Sequence, residues 1–73
     1  MKRYDLRGLG ADFDRRMLEI LASQESGSVT IFLFEVGDFS SIQRSADLVK
    51  EQGCTLINSL KFNEVDWTIV VQK

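Results

Sequence analysis

The sequence has no histidine, no proline and a single cysteine, Cys54. Without a second thiol no internal disulfide can form, and a lone cysteine suits a reducing compartment. Without histidine, a Cys/His zinc site within the chain is excluded. The same absence removes Ser-His-Asp and Cys-His catalysis, so a general base would have to be a carboxylate or an amine. Long apolar runs are missing as well. The longest, Val29 to Val36, falls far short of the ~20 residues of a membrane-spanning helix. The start "MKRYDLRG" is basic but leads into no apolar segment, so no signal peptide is read. A cytoplasmic protein without membrane contact is expected.

What is present fits one folded domain over residues 1–73, with 44% hydrophobic and 27% charged residues. A chain this short buries roughly 60% of the surface its unfolded form exposes, so each apolar contact weighs heavily. The net charge of −2 does not favour nucleic acid. Lys2, Arg3, Arg7, Arg15 and Arg16 gather near the start, but Asp5, Asp12 and Asp14 lie among them. A solvated end is the simpler reading; a basic contact for RNA or an acidic partner is the other.

Hydrophobic periodicity divides the chain into six elements. Tyr4 to Leu6 reads as a short strand, and Gly8 and Gly10 permit a tight turn after it. Phe13, Met17, Ile20 and Leu21 mark one face of a helix running to about Ser23, with Asp12 or Asp14 available to its free amides. Ser28 to Val36 is apolar on both alternating sets and reads as a central strand. "GDFSS" follows, with Asp38, Ser40 or Ser41 available as a cap. Phe39, Ile42, Ala46 and Val49 then share a helical face, and Gly53 ends that helix. Cys54 to Phe62 alternates imperfectly, with Cys54, Leu56, Leu60 and Phe62 on one side and Asn58 interrupting. "NEV" forces an antiparallel return into "DWTIVVQK".

The expected fold is an α+β two-layer sandwich, β-α-β-α-β-β. Right-handed crossovers place both helices on one face of a four-stranded mixed sheet. "TIVV" is more apolar than "INSLK", which favours strand order 1-2-4-3 over 1-2-3-4. The expected core is Phe13, Met17, Leu21, Ile31, Leu33, Ile42, Ala46, Val49 and Ile69. Phe32, Phe34 or Val70 is then expected to show on the bare face of the sheet, as a surface for weak homodimerisation or for another protein.

Few residues suggest chemistry. Gly8-x-Gly10 between strand and helix hints at a phosphate turn, but Phe13 stands where a third glycine belongs, and Asp12 and Asp14 repel an anion there. Asp12-x-Asp14 lacks the remaining ligands of a calcium loop. Cys54 opens a strand, where a small buried apolar role is simplest; reactivity would require exposure and a positive field. No metal or cofactor is expected.

The element order, the chain length and the opening Asp-Leu-Arg-Gly-Leu (Asp5 to Leu9) together resemble the TusA/SirA/YedF family of small bacterial sulfur-carrier proteins. Gly27, the segment Glu51 to Gly53 and the basic Lys73 extend the resemblance along the chain. In that family a cysteine at the first helix carries a persulfide and two prolines follow it. Aligned here, the cysteine is Ala11 and the prolines are Asp12 and Asp14. The resemblance implies a member without a catalytic residue. Its motif turn of Arg7, Gly8, Leu9, Gly10, Ala11, Asp12 and Asp14 would survive as surface. Such a protein would serve as a binding or regulatory partner of a sulfur-relay or redox component. The alternatives are a carrier that uses Cys54, or an RNA-contacting module.

Overall fold

The computed structural model describes every residue except Asp38, and the backbone but not the side chain of Ala11. In chain order the elements are β1 (Lys2–Asp5), a short 3-10 turn (Gly10–Asp12), α1 (Phe13–Ser23), β2 (Val29–Glu35), α2 (Ser40–Glu51), β3 (Thr55–Lys61) and β4 (Asp66–Gln72). The sheet order is β1-β2-β4-β3, with β1 parallel to β2 and both other pairings antiparallel. This is the mixed two-layer arrangement expected from the pattern.

The two faces of the sheet are the reverse of the expectation. Phe32 pairs laterally with Tyr4 and Ile69, and Phe34 with Trp67. Phe32 and Phe34 are fully buried, in one cluster with Phe13, Met17, Ile20 and Leu21 of α1 and Val49 of α2. Ile31 and Leu33 lie on the other face, between Arg3 and Val70 and between Asp5 and Thr68. Both alternating sets of β2 are apolar, so its own periodicity does not choose a face. Its neighbours do: β1 offers Tyr4 on one side and the charges of Arg3 and Asp5 on the other.

The buried face of α1 is the one its spacing predicts. In α2 the buried residues are Ser45 and Val49, with Ile42 and Ala46 half-buried. Ser45 is tolerated because its hydroxyl donates to the Ile42 carbonyl at 2.7 Å. Phe39 precedes the helix and is 70% exposed rather than part of the core. The suggested capping role of Asp38 falls outside the described residues. α2 stops at Gly53, whose φ of 69° lets the Cys54 amide donate to the Val49 carbonyl at 3.0 Å.

β3 carries a bulge between Leu56 and Asn58. The extra residue shifts the alternation, so Leu56 packs on the core while Leu60 and Phe62 are about half exposed. This accounts for the imperfect alternation of the segment. Among the described residues, no helix is long and apolar enough to cross a membrane.

Candidate functional site

Three connections meet at the end of the sheet where β1 and β2 terminate: the β1–α1 turn, the β2–α2 loop and the β3–β4 turn. The first holds the sequence-predicted residues. Asp5 accepts from the Arg7 main-chain amide at 3.0 Å and, through both carboxylate oxygens, from its guanidinium at 3.0 and 2.7 Å. These bonds hold the Asp5 carboxyl at about 2, well below its ordinary value. Arg7 Nη1 also reaches the buried Asp66 of β4 at 3.3 Å. Gly8, at φ 90°, turns the chain so that its amide donates to Glu35 Oε1 at 2.6 Å. The Asp-x-Arg-Gly element is therefore a structural clamp that ties the turn to the ends of β2 and β4.

Leu9, Gly10 and Asp12 are exposed. Asp12 stands at the N-cap of α1, yet its side chain makes no capping hydrogen bond. Its carboxylate lies 3.9 Å from Arg15 instead. Asp14 does accept from a first-turn amide, that of Arg15, at 2.9 Å. Its other oxygen lies 3.7 Å from Arg44 Nε. Arg44 crosses from α2 to stack its guanidinium 5.1 Å from the Phe13 ring, which stacks in turn on Phe34 at 4.8 Å.

Cys54 is not brought to this end. It precedes Thr55, which pairs with Gln72 beside the start of β2, at the opposite end of the sheet. Its thiol is half-buried, with Sγ 3.8 Å from the Gln52 carbonyl. Among the described residues, no three Cys, Asp or Glu side chains are grouped to hold a metal ion.

The residues that sequence reasoning missed lie in the other two connections. Val36, Phe39, Glu64 and Val65 border a cleft of about 400 Å³, together with Glu35 and Gly37. A smaller cleft of about 160 Å³ adjoins it, sharing Val36, Phe39 and Glu64 and adding Lys61, Asn63 and Trp67. Asn63 shapes the β3–β4 turn: its side-chain oxygen accepts from the Val65 and Asp66 amides, both at 2.8 Å. The available signal was Phe39 itself, an aromatic in a turn between Gly37 and Ser40.

The model of one protein family, described as the putative E subunit chain of NADH-ubiquinone oxidoreductase, matches residues 1–73. The solution structure of HP1264 from Helicobacter pylori is 50% identical, covering 100% of this chain and 97% of that one with a TM-score of 0.75. Comparison with curated proteins gives no match. The full-length family match overturns the TusA/SirA/YedF resemblance and the readings that rested on it: the sulfur-pathway partner, the carrier using Cys54 and the RNA module. The physical reason lies in the motif. Asp5, Arg7 and Gly8 encode a turn geometry that any strand-to-helix connection of this shape can use, and the residue that would carry sulfur chemistry is Ala11. By this match the protein belongs to the family described as the putative E subunit chain of NADH-ubiquinone oxidoreductase.

Proposed function

We propose that the protein is a small cytoplasmic subunit of an assembly of the NADH–ubiquinone oxidoreductase type, and that it acts there by docking rather than by carrying electrons. The full-length family match carries the first half of this reading. The residue inventory supports the second. An iron–sulfur cluster is held by four cysteine or histidine ligands, and this sequence offers one thiol and no histidine. That thiol is half-buried at the end of the sheet away from the loop cluster. The residues do not fit such a cluster, and no electron-transfer step is assigned to one. The lone thiol also supports the cytoplasmic placement.

The test is native electrophoresis of detergent-solubilised membranes, probed with an antibody to this protein. Co-migration with the quinone-reducing complex, and loss or shrinkage of that complex when the protein is deleted, is the expected result. Recovery of the protein only at its free mass of 8.3 kDa, with the complex intact in the deletion, overturns the proposal.

A further inference from the structure

Phe39 holds a backbone conformation that aromatic residues seldom adopt. Its φ is 72°, in the left-handed region, where a Cβ-bearing residue is strained and glycine is not. Such strain persists where the surrounding structure enforces it and is concentrated at functional positions. Here burial of the ring within the chain does not offset it, because Phe39 is 70% exposed. Val65, across the groove, is 65% exposed. Between them the floor is apolar: Val36 is buried, and Trp67 is fixed by its indole N–H, which donates to Ser59 Oγ at 2.7 Å.

The charges on the rim point to the occupant. Glu35 and Glu64 both border the larger cleft, and neither a lysine nor an arginine lines it. Glu64 is almost wholly exposed, and its partner Lys61, at 3.3 Å, approaches from the smaller cleft. A phosphate or an anionic lipid surface meets two carboxylates here. A second copy of this chain brings a net charge of −2 toward them. A cation placed beside an apolar side chain meets complementary charge and an apolar seat.

We propose that the groove bounded by Phe39, Val65, Val36 and Trp67 is a docking site for a partner protein's segment that pairs an apolar side chain with an adjacent lysine or arginine. The apolar side chain lies between Phe39 and Val65, and its neighbouring cation meets Glu35 and Glu64. This deepens the docking role proposed above and rests on it only for the partner's identity. The groove is tested on the isolated chain, so its failure is distinguishable from failure of the assembly reading.

The test is an amide-resonance titration of the 15N-labelled chain at millimolar peptide. One probe is acetyl-Leu-Arg-Leu-Arg-amide and the other is acetyl-Leu-Glu-Leu-Glu-amide. The expected result is saturable shifts at Gly37, Phe39, Glu64 and Val65 with the arginine peptide only. Glu35→Gln with Glu64→Gln should weaken binding by about tenfold, the loss expected for a charged hydrogen bond. Phe39→Gly should abolish binding while leaving the melting temperature unchanged or higher, because glycine relieves the strain. A ring with a merely structural role would lower it. No shift with the arginine peptide, equal shifts with both peptides, or a drop in melting temperature for Phe39→Gly overturns the proposal. So does binding to phosphatidylglycerol vesicles through these residues, or concentration-dependent shifts at them without peptide, which would assign the groove to a lipid surface or a second copy.

Discussion

The Nζ of Lys73 donates to the Leu21 carbonyl at 2.8 Å, closing the last turn of α1 from the far end of the chain. The same ammonium donates to the carbonyls of Ala22 at 3.2 Å and Gln24 at 2.8 Å. The final carbonyls of a helix have no partner within it and carry the negative end of its dipole, so a cation there satisfies both needs. Lys73→Met keeps the aliphatic stem and removes the charge. It should destabilise the fold by about 1–2 kcal/mol, read from the urea midpoint. An unchanged midpoint would show that water serves those carbonyls equally well.

The Arg7 clamp makes two predictions. Arg7→Met leaves the buried Asp66 with Asn63 Nδ2, at 2.8 Å, as its remaining side-chain donor. Because Arg7 is partly exposed, the expected cost is modest, about 1–2 kcal/mol by urea unfolding.

The second concerns pH. Hydrogen bonds from the Arg7 guanidinium and then from its amide lower the Asp5 carboxyl from 3.8 to about 2. A carboxyl depressed in the folded state stabilises above its unfolded value, and that contribution is lost as pH falls from 3.8 toward about 2. Asp5→Asn should therefore flatten the stability profile in that window and leave its shape above pH 5 unaltered. An Asp5→Asn profile parallel to the wild type down to acid would refute the clamp.

Element order and strand order were legible because they follow from local signals: glycines at the turns, helical spacing in α1, and a return too short for anything but a hairpin. The faces of β2 were not legible from β2 alone. They were legible from its neighbours, since the alternation Arg3, Tyr4, Asp5 and that of Asp66, Trp67, Thr68 both set polar residues against the face of Ile31 and Leu33. The β3 bulge escaped notice because one inserted residue breaks a period of two without leaving a glycine or proline to mark it. At the loop end, Arg7 and Gly8 were found but misread, because a turn motif reports geometry before chemistry. Phe39 fell into the periodicity of α2 by coincidence, although the helix begins only after it.

Core substitutions should be severe. The Phe34 ring is fully buried and stacks on Phe13, and Leu21 is 2% exposed in the same cluster. Phe34→Ala is expected to cost about 3–5 kcal/mol and Leu21→Ala about 2–5 kcal/mol. For a small domain this is a large part of the total stability, and the Phe34→Ala amide spectrum should collapse toward that of an unfolded chain. A well-dispersed spectrum at room temperature would mean that the site repacks.

Self-association through the open face of the sheet, which we propose from its apolar rows, should be weak for a reason visible in the side chains. Leu33 is already buried within the chain, and Ile31 and Val70 are half-buried. The Arg3 guanidinium lies 6.0 Å from the centre of the Phe62 ring. The apolar groups left open are Ile57, Leu60 and Phe62 along β3, each about half exposed. A strip this narrow offers much less than the ~800 Å² per partner of a standard interface. Sedimentation should find a monomer at micromolar concentration, with a dimer emerging only toward the millimolar range. Leu60→Lys should shift that balance to monomer by removing the central apolar side chain and adding like charge across the interface. A tight dimer at micromolar concentration that Leu60→Lys leaves intact would place the self-contact on some other surface.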